Sequence, residues 1–223
     1  LGIEVRGQVP KKKKLQEIIT FIKRRKDDSG IIYCLSRKNT EEVANHLKAE
    51  GHSVAFYHAG MTHEQREKTQ TDFINDDTKI IVATIAFGMG IDKSNVRFVI
   101  HYNLPKNLEG YYQEIGRAGR DGLPAETLLY YNMRDFVLYS QFADSGANTT
   151  MQKEKLNRML QFAEAKSCRR KILLSYFGEH LTKNCGNCDV CENPPKDFDG
   201  TILSQKALSG IARMGEKDGI TLL

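Results

Sequence analysis

Five short apolar runs lie between residues 30 and 132, and stretches with apolar residues at helical spacing separate them. That alternation restricts the fold more than any other feature of the chain. Ile31-Ile32-Tyr33-Cys34-Leu35 is apolar without interruption, as in a strand covered on both faces. Residues 53–57, 79–84, 97–103 and 127–131 read as further strands. Helices fall between them. Pro10 stands near the start of one, with Leu15, Ile18, Ile19 and Ile22 along its buried stripe. Asn39 with Glu42 reads as a capping box for a helix to Glu50 that Gly51 closes, and Thr62 with Gln65 for one to about Asn75. Another helix starts near Asn107. Strands alternating with helices predict a doubly wound α/β fold, a parallel sheet with helices on both faces. Binding and catalytic residues are then expected in loops beyond the carboxyl ends of the strands.

After residue 132 the strand signal stops. Helices are predicted over 133–143, 150–165 and 168–177, a loop-like segment over 185–199, and a short helical start over 204–213. The expected domains are an α/β lobe at 1–132, a helical region at 133–195 and a further module beginning at 196–223. The chain starts without Met and stops in mid-pattern, so it reads as a piece of a longer protein.

No apolar run approaches the roughly 18 residues of a membrane span, and residues 1–8 show no secretory leader. The net charge of +5 permits a polyanionic partner without requiring one. Two basic runs, Lys11 to Lys14 and Lys23 to Lys26, read as solvated helix faces rather than a phosphate track.

Two segments carry phosphate chemistry. In Gln113-Glu114-Ile115-Gly116-Arg117-Ala118-Gly119-Arg120-Asp121-Gly122, two glycines three apart interleave with two arginines three apart. Glycine inside a helix costs on the order of 1 kcal/mol, so the pattern suggests a purpose beyond folding. On a helix, Arg117 and Arg120 would share one face, and the planar guanidinium can bind phosphate oxygens in two places. A basic helix end capped by Gly122 is the plainer alternative. The second segment runs from Ala83 to Asp92, directly after a strand. Gly88 and Gly90 allow close backbone approach there, and Asp92 could accept from a ribose hydroxyl. A glycine pair after a strand is weak evidence alone.

Five cysteines are few for a disulfide framework, and four of them cluster: Cys168, then Cys185-x-x-Cys188-x-x-Cys191. Four thiolates can close a tetrahedral zinc site. Three cysteines at this interval plus a distant one also suit an iron–sulfur cluster, and spacing alone leaves both open. Cys34, inside an apolar run, reads as a small buried hydrophobe. His180 reads as solvated. Of Tyr111 and Tyr112, one is expected to pack into the sheet and one to be partly exposed, although both could stack on bases.

Together the arginine and glycine segments, with His101-Tyr102-Asn103-Leu104-Pro105 and the cysteine spacing, resemble the RecQ family of superfamily 2 DNA helicases over about residues 30–213. The resemblance implies a RecA-like second motor lobe, a zinc-binding region held by Cys168, Cys185, Cys188 and Cys191, and the start of a winged-helix module. It implies that Arg120 is an arginine finger for the γ-phosphate and that Arg117 and Gln113 couple ATP state to DNA. Gly88, Gly90 and Asp92 would border the nucleotide. Ser36, Arg37, His58, Gly60 and Thr84 would border a single strand of DNA. The family is intracellular, unwinds DNA 3′ to 5′, and serves recombination and repair.

The chain has no Gly-x-x-x-x-Gly-Lys-Ser/Thr cradle and no Asp-Glu-x-His pair. ATP and Mg²⁺ would therefore be shared with a first motor lobe outside this sequence, and the chain alone is expected not to hydrolyse ATP. A non-enzymatic nucleic-acid scaffold and a helicase acting on RNA stand as alternatives.

Overall fold

A computed structural model describes residues 1–88, 92–144, 149–196, 199–213 and 215. Residues 1–193 make up one compact unit and 194–223 a second. The first unit is built on six strands: β1 (Gly2–Gly7), β2 (Ser29–Tyr33), β3 (Val54–Tyr57), β4 (Ile80–Ala83), β5 (Val96–His101) and β6 (Glu126–Tyr131). They pair in the order β1-β6-β5-β2-β4-β3, and every pairing is parallel.

Helices cover both faces. α1 (Lys11–Lys23) and α2 (Arg37–Ala49) bury Ile18, Ile22, Val43 and Leu47 against Ile32, Val82 and Ile100. On the other face α3 (His63–Ile74) and α4 (Leu108–Ile115) bury Phe73, Tyr111 and Ile115 against Ile31, Ile81 and Val99. Alternate residues of one strand thus serve opposite cores, which is why the central runs are apolar throughout. Among the described residues no helix is long and apolar enough to cross a membrane.

The sequence after the last strand becomes α5 (Met133–Asp144), α6 (Thr149–Glu164), α7 (Arg169–Tyr176) and the single turn α8 (Asp189–Glu192). Leu156, Met159 and Phe162 of α6 join the core that holds Tyr111 and Ile115. α5 is tied down by Asp135, whose carboxylate accepts from Asn103 Nδ2 at 3.0 Å and from the Leu104 amide at 3.1 Å. The second unit contains α9 (Thr201–Arg213), which buries none of its residues.

Three details depart from the sequence reading. Residues 2–7 form β1, a strand that the apolar-run pattern misses. α2 is capped by Ser36, whose hydroxyl accepts from the Asn39 amide at 3.2 Å, rather than by Asn39 itself. Lys14 is not solvated: its buried ammonium donates to the Tyr102 carbonyl at 2.7 Å and lies 4.4 Å from the Tyr102 ring centre. Burial lowers its pKa.

One carboxylate organises the amino ends of the strands. Asp76, at the left-handed φ of 67°, accepts from Ser29 Oγ at 2.9 Å, Lys79 Nζ at 3.1 Å and Lys93 Nζ at 3.0 Å. Lys93 is itself buried. Burial works against the Asp76 charge, but the hydrogen bonds from Lys93, Lys79 and Ser29 outweigh it and hold the carboxyl well below its ordinary range. A depressed folded-state pKa stabilises the protein above the unfolded value of about 3.9 and is lost as pH falls below it. Asp76→Asn should therefore cost about 1–2 kcal/mol at neutral pH, a figure reduced for solvent screening of a partly exposed group. In acid titrations followed by circular dichroism, the gap between the two proteins should close below about pH 4.

Candidate functional site

Three neighbouring strands deliver the expected strand-binding residues to one edge of the sheet. Ser36 and Arg37 follow β2, His58 and Gly60 follow β3, and Thr84 follows β4. Ser36 and Arg37 are exposed. A Cβ placed on Gly60 would lie 3.1 Å from Arg37 Nη1 and 3.2 Å from His58 Nδ1, so these three residues form one cluster. The Gly60 amide donates to His58 Nδ1 at 3.2 Å. Nδ1 must then accept, which leaves the ring proton on Nε2, donated to Glu41 at 2.9 Å. Thr84 anchors the end of β4, its amide donating to the Tyr57 carbonyl at 3.1 Å and its carbonyl accepting from Phe87 at 3.0 Å. Glu41 carried no sequence signal, because a glutamate on a helix face looks solvated.

The arginine segment is not a helix face. α4 ends at Ile115 with Gly116 as its cap, and the chain turns back on itself through Gly119 and Gly122 at φ of 69° and 81°. Those angles suit glycine, and a Cβ on Gly119 would meet the Leu123 carbonyl at 2.9 Å. The turn is pinned where the Gly119 amide donates to Val96 O at 2.9 Å and where Arg97 Nη2 grips the Asp121 carboxylate at 2.6 and 2.7 Å. It therefore lies by the amino end of β5, away from the cluster at the carboxyl edge. Arg120 is exposed, and its Nε donates to the Gly116 carbonyl at 3.2 Å. Gln113, on α4, is exposed as well.

Arg117 reaches the other way. A Cβ on Gly88 would come within 2.7 Å of Arg117 Nη2, so glycine is what lets this guanidinium lie against the segment after β4. Its Nε is buried without a hydrogen-bond partner among the described residues. The charges of Arg117, Glu114 and Arg120 all act on the Tyr33 hydroxyl, whose pKa burial pushes up and Arg117 partly restores. Tyr33 donates to the Phe87 carbonyl at 3.1 Å and stacks on His101 at 5.4 Å. His101 Nε2 in turn lies 2.7 Å from Glu114 Oε2. Tyr33 is thus the meeting point of β2, the segment after β4 and the arginine turn. Asp92 is exposed next to Lys93, and Gly90 lies outside the described residues.

The four cysteines converge. Their sulfurs all lie within 4.8 Å of one another, with Cys185 and Cys191 at 3.8 Å. Zinc–sulfur bonds of about 2.3 Å in a tetrahedron place sulfurs about 3.8 Å apart. An iron–sulfur cluster, several atoms across, would hold its ligands further apart, so the donor set fits a single ion. Gly186 at φ 76° turns the Cys185–Cys188 loop, and the Cys185 amide donates to Cys168 Sγ at 3.3 Å. Burial opposes a Cys168 thiolate, but backbone donors at Cys185 and Lys171 and the neighbouring thiols bring it down to about 7.

Residues without a sequence signature seat this knuckle. Arg169 is buried, and its Nε and Nη2 meet the Asp189 carboxylate at 3.0 and 3.1 Å. Its Nη1 donates to the Phe162 and Ala163 carbonyls at 2.6 and 3.2 Å, satisfying the end of α6. Asp189 also accepts from the Val5 amide of β1 at 3.1 Å.

Comparison with known families agrees with this geometry. Residues 10–122 match the helicase conserved C-terminal domain, and residues 133–192 match the RecQ zinc-binding domain. The chain belongs to the RecQ helicase family. It is 48% identical over 215 residues to the ATP-dependent DNA helicase RecQ of Pasteurella multocida, covering 95% of this chain and 34% of the relative. The RecQ of Haemophilus influenzae is 47% identical over 92% of this chain and 34% of its own length. The RecQ-family chain thus spans about a third of the length of these curated relatives. Its fold resembles S. cerevisiae Dbp5 bound to RNA and ADP BeF3, with a TM-score of 0.57 and 18% identity over 94% of this chain and 44% of that one. At that identity the likeness is one of fold.

Cys188→Ser should reduce bound zinc from one equivalent to a small fraction by metal analysis. Hydrogen exchange should then accelerate across residues 185–192 and at the Val5 amide, while β2 and β4 keep their protection. Unchanged protection in the knuckle would count against a structural metal there.

Proposed function

We propose that this chain is the second motor lobe and zinc-binding region of an ATP-dependent DNA helicase that moves 3′ to 5′ along one strand, inside the cell. The observation that carries the reading is Arg117 lying against Gly88 and Tyr33. That contact links the arginine turn to the segment after β4 and, through β2, to the loop bearing Ser36 and Arg37. In this reading Arg120 faces the γ-phosphate of ATP seated on a first lobe, which supplies the phosphate cradle and Mg²⁺. Gln113 and Asp92 line the same cleft, together with the backbone at Gly88. Arg37, His58, Gly60, Ser36 and Thr84 border the strand. Cys168, Cys185, Cys188 and Cys191 would hold zinc as a structural ion that closes the knuckle.

A change at the phosphates reaches the strand because Arg117 cannot move without disturbing Tyr33, and Tyr33 lies three residues before Ser36. The Ser36 hydroxyl accepts from Asn39 and keeps its own proton to donate to a phosphate oxygen. Arg120 at the edge of a closing cleft would offset charge developing on the transferred phosphoryl group.

The chain alone should show no DNA-stimulated ATPase, and measurable turnover free of contaminants would overturn the two-lobe reading. In the full-length parent, Arg120→Ala should lower ATP turnover on the order of a thousandfold and leave single-strand affinity nearly unchanged. Arg37→Ala should do the reverse, reducing the salt dependence of binding by about one phosphate contact. Gly88→Ala, which forces Arg117 aside, should slow DNA-stimulated turnover more than basal turnover.

A further inference from the structure

A cavity of about 580 Å³ opens between α4, α6 and α7, on a part of the protein that the foregoing reading does not use. Its floor is apolar, from Leu108, Phe162 and Ile172. Its rim carries two cations, Arg158 and Lys171, and the hydroxyls of Ser167 and Ser175. Neither cation is paired with a carboxylate among the described residues. Arg158 makes a 3.4 Å contact with Gln161 Oε1, and Lys171 a 3.4 Å contact with the Thr182 carbonyl. The Glu109 carboxylate beside Tyr176 is already taken by Lys155 at 2.6 Å.

An aromatic surface adjoins the cavity. Tyr176 forms part of its wall and meets the Phe177 ring at 5.2 Å, and Phe177 meets Tyr112 at 4.7 Å. Tyr112 and Phe177 are 45% and 41% exposed, whereas Tyr111 next to them is fully buried. Leu108 of the floor and Tyr112 lie one turn apart on α4.

We infer that this cavity is a second site for a nucleotide unit, its phosphate held by Arg158 and Lys171 and its base stacked on Tyr112 and Phe177. Cations beside exposed aromatic faces suit that ligand, because every base has a π-face that can stack on an aromatic ring. Gln161 and the two serines offer donors and acceptors to a base edge. An acidic peptide fits less well. The cavity is walled by helices, so no strand edge is available to pair with an extended backbone. The ligand chemistry is the same for a free mononucleotide and for one residue of a single strand.

The test uses this chain with a single-stranded oligonucleotide carrying 5-bromodeoxyuridine, photocrosslinked and mapped by mass spectrometry. Crosslinks are expected at Tyr112, Tyr176 or Phe177. The double variant Arg158→Glu/Lys171→Glu should lose them and bind the strand about tenfold more weakly by fluorescence anisotropy, with zinc content and circular dichroism unchanged. Arg37→Ala should keep them, which separates this site from the strand loops at the carboxyl edge. Adenosine monophosphate titrated into the same mixture distinguishes the sources: competition at micromolar levels marks a mononucleotide site, and none marks a strand subsite. Crosslinks confined to residues 36–60 and 84, or loss of none of them in the double variant, overturn the inference. So does an acidic aromatic peptide that binds the cavity while the oligonucleotide does not.

Discussion

Arg169 and Asp189 meet inside the protein with each guanidinium nitrogen and both carboxylate oxygens engaged. Three elements lean on that pair: the end of α6, the cysteine knuckle and β1. A buried ion pair is no free source of stability, since desolvation offsets most of the attraction. Losing one partner is different, because it strands a charge and costs about 3–5 kcal/mol. The pair therefore acts as a specificity device. It fixes where the knuckle sits on the sheet, and the four thiols fix the shape of the knuckle. The helical region can then present α7, and with it Phe177, to Tyr112 of α4.

A parallel sheet with the connections seen here gathers side chains at both ends. The carboxyl edge gathers Arg37, His58, Gly60 and Thr84 from three adjacent strands. The arginine turn is fastened near the amino end of β5, and Asp76 fastens the amino ends of β2 and β4. Arg117 and Tyr33 meet between these regions. Their environment is tight: Arg117 Nε and His101 Nδ1 are both buried without partners among the described residues. Orphaned polar atoms of this kind are expensive. Two of them beside the Arg117–Tyr33 contact leave hydrogen-bonding capacity unmet at that point.

Much of the fold was legible because two-sided burial leaves an uninterrupted apolar run, and five strands of the sheet showed one. β1 did not. It is an edge strand with Ile3 inward and Glu4 and Arg6 outward, and its alternation is too short to stand out. The start of α2 was misplaced, because Asn39 with Glu42 has the residues of a capping box, whereas Ser36 at the exit of β2 caps the helix. Arg117 and Arg120 were recognisable as a motif, but Gly119 between them was misread as helical. Its left-handed angle makes a turn, and a turn sends the two side chains to different places. The four thiols were legible from spacing, and their separation within 4.8 Å removed the iron–sulfur alternative. Arg169 and Asp189 were invisible, because no rule of spacing joins two ordinary charged residues twenty positions apart.

Among the described strands β1 pairs with β6 alone, and two further contacts meet its backbone. Cys188 makes a single bridge to Ile3, and Asp189 takes the Val5 amide. Both contacts belong to the knuckle. Metal loss would thus uncover the rim of a parallel sheet, a ready template for another chain's backbone. Scarcity of the ion would be felt first as self-association of the protein, before any loss of its helices.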